Sequence, residues 1–106
     1  MRRWKWCLVF LVLAGCASHY HQVRGERLHL YLKMPDVSRV DFASSLDGFK
    51  IHKGEKIDSQ TWEITVPAGE EFRYFYFVNG KMYVPDCRLR EHDGFGMENC
   101  IYEPGL

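Results

Sequence analysis

From Arg27 onward, apolar and polar positions alternate with a period of two. Leu28, Leu30 and Leu32 are spaced by His29, Tyr31 and Lys33, which predicts a half-buried strand closed by Pro35-Asp36. Val40, Phe42 and Ser44 predict a second strand, ended by Leu46-Asp47-Gly48. Trp62, Ile64 and Val66, spaced by Glu63 and Thr65, predict a third that stops at Pro67-Ala68-Gly69, and this phase makes Trp62 a core residue. The strongest signal runs from Glu71 to Val78, where five of eight residues are Phe or Tyr, a composition that suits a pleated surface in contact with a core. Phe72, Tyr74, Tyr76 and Val78 share one face and Phe75 and Phe77 the other, so burial on both sides is expected. Asn79-Gly80 followed by Lys81 to Val84 predicts a hairpin with a type I′ turn, and Asn99 to Tyr102 a last short strand. No stretch of ten or more residues keeps a helical stripe. Six or seven short strands with close turns predict an all-β, immunoglobulin-like antiparallel sandwich over residues 27–106.

The N-terminus obeys a different pattern. Arg2, Arg3 and Lys5 precede the apolar run from Cys7 to Ala14, and Gly15-Cys16 follows. A charged start, a short apolar run and small residues at the end describe a secretory signal. The run is too short to cross a bilayer as a helix, which takes about 20 residues. Leu13-Ala14-Gly15-Cys16 resembles the lipobox of bacterial lipoproteins. That resemblance implies cleavage of residues 1–15 and diacylation of Cys16, and it implies outer-membrane sorting because Ala17 rather than Asp follows the cysteine. Two acyl chains anchor stably, since each buried CH₂ contributes about 0.8 kcal/mol. The protein is thus expected in the bacterial envelope, facing the periplasm. Residues 16–26 show neither the strand nor the helix period. They read as a lipidated tether with His19 and His21 in solvent.

Removing 15 of the 106 residues leaves one small domain. The removed segment carries three of the 14 basic residues and none of the 14 acidic ones, so the mature chain has a formal charge of −3. Such a chain offers nothing to attract nucleic acid. With Cys7 removed and Cys16 acylated, Cys87 and Cys100 remain and are expected to form a disulfide in an oxidising compartment. The loop of 14 residues that they close corresponds to about 3 kcal/mol in the chain-entropy model. Metal ligation by these cysteines with two of the five histidines lacks the close Cys or His spacings that zinc sites show. No metal or other cofactor is expected.

The stretch from Val40 to Glu103 resembles the glycogen-binding module of the AMP-activated protein kinase beta subunit and the related early-set domains of isoamylases and branching enzymes. The resemblance rests on Val40-Asp41-Phe42-Ala43-Ser44-Ser45-Leu46-Asp47-Gly48-Phe49, then Trp62, then Val66-Pro67-Ala68-Gly69 through Tyr74-Phe75-Tyr76-Phe77-Val78-Asn79-Gly80, then Pro85-Asp86 and Gly96-Met97-Glu98-Asn99. Members that bind α-glucan stack sugar rings on two tryptophans supported by a lysine and an asparagine. The resemblance puts the first tryptophan at Phe49. The second falls at Met82, with Tyr83 beside it as a substitute. The lysine falls at Phe75 or, with a shift of register, at Arg73, and the asparagine is Asn99. Aromatic faces suit the apolar C–H face of a pyranose while polar neighbours satisfy its hydroxyls.

Catalysis would need a nucleophile with its base, a carboxylate pair or a metal set, and the acidic residues follow no such spacing. Glu91, His92 and Asp93 cluster between the two cysteines as a polar loop. No enzymatic activity is expected. Two readings follow: a carbohydrate-binding module on the envelope using Phe49, Arg73, Met82, Tyr83 and Asn99, or a structural module whose partner is another envelope protein.

Overall fold

The alternation of Leu28, Leu30 and Leu32 resolves into a strand that buries all three, each 1% exposed or less, and the other predicted strands form around it. The computed structural model describes residues 18–92 and 98–105. Its strands are β1 (Ser18–Arg24), β2 (Arg27–Lys33), β3 (Val40–Ser44), β4 (His52–Lys53), β5 (Glu55–Lys56), β6 (Thr61–Pro67), β7 (Phe72–Val78), β8 (Lys81–Tyr83), β9 (Arg90–His92) and β10 (Glu98–Tyr102). They form two antiparallel sheets. One has four strands in the order β1-β2-β6-β5; the other has six, in the order β4-β3-β7-β10-β9 with β8 also on β7. The sheets pack as an all-β, immunoglobulin-like sandwich. The signal segment and Cys16 lie outside the described residues.

Register explains which side chains meet. Leu30 opposes Ile64 and Leu32 opposes Trp62 in one sheet, while Val40 opposes Val78 and Phe42 opposes Tyr76 in the other. Directly opposed residues in an antiparallel pair point to one side, so these residues form the core together with Phe72, Tyr74 and Tyr102. Tyr76 is fully enclosed and meets Phe42 edge-on at 5.5 Å. Trp62 lies in this core at 7% exposure, as its phase predicted. Cys100, opposite Tyr74, is fully buried and is joined to Cys87 by a disulfide.

The tether is shorter than the sequence suggested. Residues 18–24 pair with β2 over their whole length, from Ser18 opposite Lys33 to Arg24 opposite Arg27. Backbone hydrogen bonding to a free strand edge does not depend on apolar side chains, which explains why β1 carries no alternating signal. His19 is correspondingly not in solvent. Its Nε2 and the Tyr76 hydroxyl share a hydrogen bond of 2.9 Å, and burial, reinforced by the charge of His21, lowers its pKa to about 4. His21 is exposed but meets Tyr102 edge-on at 5.5 Å.

Candidate functional site

Alternation along β7 sends Arg73, Phe75 and Phe77 to the outer face of the six-stranded sheet. This face is half-buried, not dry as the aromatic run suggested. Register adds Asp41 and Ala43 from β3, Met82 opposite Phe77, and Asn99 opposite Glu91. Ile101 opposes Arg73, so Asn99, two residues before it, lies level with Phe75.

Phe49 reaches this face through a tight turn. The Ser44 side chain accepts from Leu46 N and starts one turn of 3-10 helix at Ser45–Asp47. Gly48 and Phe49 then both take positive φ, 76° and 64°, and Phe49 N donates to Ser44 O at 2.7 Å. A phenylalanine in the left-handed region carries backbone strain, a condition that clusters at ligand-contacting positions. The turn lays the Phe49 ring near-parallel on Phe75, with centroids 5.7 Å apart and planes 14° apart. Phe77 continues the row, edge-on to Phe75 at 5.5 Å. Phe49 stays 40% exposed.

Charged groups frame the aromatic row. Arg73 donates from Nε to Glu91 and from Nη1 to Glu71 at 3.0 Å. Glu91, more than Glu71, holds the guanidinium pKa above its ordinary value. The backbone N of Arg73 donates to Ser45 Oγ at 3.0 Å, which ties this strand to the turn that carries Phe49. Asp41 lies on the same face, 95% buried beside Phe77. Its Oδ2 accepts from Arg39 Nε at 2.8 Å, while its Oδ1 has no partner among the described residues.

Of the positions singled out from sequence, Phe49, Phe75, Arg73, Met82 and Asn99 therefore share one face. Tyr83 does not. It opposes Tyr76 on the inner side of β8 and packs against the core, since neighbouring strand residues point opposite ways and Met82 points outward. Sequence reasoning missed Asp41 and the role of Glu91. Asp41 alternates with Val40 and Phe42, so its outward direction was legible, but its burial depends on neighbouring strands.

Glu91 and His92 do not converge on one point: Glu91 serves Arg73, and His92 faces Glu98 at 3.3 Å. Asp93 lies outside the described residues. Among the described residues, no group of three or more His, Cys, Asp or Glu is arranged to hold a metal ion. Two cavities open elsewhere. One of about 560 Å³ lies at the β4–β5 side, lined by Phe42, Asp47, His52, Glu55 and Ile64 among others. One of about 180 Å³ lies under β1, lined by His19, His21, Tyr74 and Tyr102 among others. Along the aromatic row, Phe49 and Met82 are exposed, Phe75 and Phe77 are half-buried, and Asp41 and Ala43 beside them are buried. A scan against protein-family models finds no match to this chain, and a search of curated proteins finds none either.

Proposed function

We propose that the mature protein is a membrane-anchored, non-catalytic envelope lipoprotein, acylated on Cys16, whose sandwich binds α-glucan or a related carbohydrate on the outer face of the six-stranded sheet. The observation that carries this reading is Phe49, a strained, 40% exposed ring stacked on Phe75. An exposed ring held flat by a second ring is rigid, so little entropy is lost when a sugar stacks on it. Phe77 and Met82 extend the apolar surface, and Arg73, Glu91 and Asn99 supply donors and acceptors for hydroxyls. The lipobox-like Leu13-Ala14-Gly15-Cys16 supports the anchor.

The test is retention of the soluble Cys16→Ser chain on amylose or glycogen resin. Wild-type surface should be retained at millimolar site concentration, and Phe49→Ala should lose retention while its unfolding midpoint hardly moves. Absence of retention by the unaltered platform overturns the carbohydrate reading.

A second reading, a protein-interaction module, draws on a separate observation. β1 stands at the edge of its sheet, with Tyr20 and Val23 exposed at 50% and 48%. Such an edge suits a strand from another envelope protein. Co-purified partners lost on substituting Lys or Pro along β1 would favour it.

A further inference from the structure

This inference rests on the acylation of Cys16 proposed above. Two peptide units separate Cys16 from Ser18, the first residue of β1. An extended chain spans at most about 3.6 Å per residue, so Ser18 stays within about 7 Å of the acylated residue. A free tether through residue 26 would let the domain tumble, whereas β1 is fastened to β2 along its whole length. The end of the sandwich that holds Ser18 is therefore kept at the lipid headgroups.

That end can be traced through its contacts. Ser18 opposes Lys33 and Lys33 opposes Thr61. Met34 N donates to Gln60 O and Ile57 N to Thr61 O. The chain then crosses to the other sheet, where the backbone N of Ser38 and of Arg39 donate to the Asn79 side chain. Lys33, Arg39, Lys56 and Lys81 are exposed there, and Ile57 is 46% exposed beside them. Lys53, opposite Asp41, is exposed as well. Four acidic residues share the region: Asp41 is paired with Arg39, Asp58 accepts from the backbone of Gln60 and Thr61 in its own turn, and Asp36 and Glu55 are exposed. The opposite end has the other balance: Glu26, Asp47, Glu70, Glu71 and Glu103 outnumber Arg24, Arg27, Lys50 and Arg73. The charge of the domain thus runs from slightly basic at the anchored end to slightly acidic at the far end.

We propose that the end formed by residues 33–39, 56–61 and 79–81 docks on the membrane that carries the anchor, with anionic phospholipid headgroups as its partner. Lys33, Arg39, Lys56 and Lys81 meet the phosphates, and Ile57 rests at headgroup depth. A basic residue near an anionic surface strengthens its attachment about fivefold. The docked pose turns the Phe49 turn outward, about 20 Å from the lipid at the usual strand rise, while Phe77 and Met82, next to Val78 and Lys81, form the lipid-facing end of the aromatic row.

The test is amide hydrogen exchange on the full mature lipidated chain in nanodiscs of phosphatidylethanolamine with about a third phosphatidylglycerol, compared with the lipid-free Cys16→Ser chain. The mass of the acylated N-terminal peptide is read on the same samples. Exchange should slow at least fivefold at residues 34–39, 57–60 and 79–81 and stay unchanged at 24–26, 45–51 and 68–71. Lys33→Glu with Lys81→Glu should restore most of the fast exchange. An unacylated Cys16 overturns the anchor and this proposal with it. Acylated protein with equal exchange at both ends overturns the docking alone, as does identical slowing on phosphatidylcholine discs. Slowing that grows with concentration in the lipid-free chain would assign the surface to a second copy and overturn the lipid partner.

Discussion

The enclosure of His19 makes the stability of the protein depend on pH in a way that a solvated histidine would not. In the folded chain its pKa is lowered from 6.5 to about 4, with burial as the main cause and the nearby His21 charge second. Tyr74 and Tyr76, which pack on its ring, are themselves uncharged at these pH values, their pKa values raised by burial. Between pH 6.5 and 4 the unfolded chain binds a proton that the folded chain refuses. The stabilisation is complete above pH 6.5 and is lost as pH falls, at about 1.4 kcal/mol per unit. The loss is about 2 kcal/mol at pH 5 and about 3 kcal/mol once pH 4 is reached. Urea unfolding of the Cys16→Ser chain between pH 7.5 and 4.5, with and without His19→Gln, isolates this contribution, because the two chains differ at no other position. The wild-type midpoint should fall more steeply than that of the variant below pH 6.5. Profiles parallel within about 0.5 kcal/mol would mean that His19 is solvated and that β1 is not seated on β2.

Other outcomes follow from particular contacts. Replacing Cys87 and Cys100 together by Ala should cost about 3 kcal/mol through the opened loop, plus a smaller packing loss at the fully buried Cys100, read as a lower urea midpoint that reductant reproduces in the parent. Gly54→Ala should destabilise by more than about 1 kcal/mol, because its Cβ would meet the backbone oxygen of Val40 at 2.9 Å; an unchanged thermal midpoint would contradict the close approach of the two chains there. Tyr76→Phe removes the hydroxyl hydrogen-bonded to His19 and should cost about 1–3 kcal/mol at pH 7, since a buried polar group loses its partner.

Much of the fold was legible because period-two alternation follows directly from a sheet with one buried face. Leu28, Leu30 and Leu32, Trp62 and Ile64, and the aromatic run of β7 all declare themselves in this way. The strand that escaped is β1, whose inward residues begin with His19 and His21 at the open side of the sandwich, where polar side chains are tolerated beside the small cavity. No apolar count detects such a strand. The two-residue strands β4 and β5 are likewise too short to show a period. In the candidate site, alternation puts Arg73, Met82 and Asn99 on one outer face, but the side taken by Tyr83 depends on the hairpin register set at Asn79-Gly80. The burial of Asp41 and the clamp of Arg73 by Glu91 are products of strand order, which residue spacing along the chain does not encode.

The most direct measurement of the central claim is a titration of the isotope-labelled Cys16→Ser chain with maltoheptaose, followed by amide and methyl NMR shifts. Binding on the platform predicts saturating shifts confined to Phe49, Arg73, Phe75, Phe77, Met82 and Asn99 and their neighbours, abolished by Phe49→Ala. Spectra that stay unchanged up to millimolar sugar, or shifts that gather along β1 instead, would contradict a carbohydrate platform on this face.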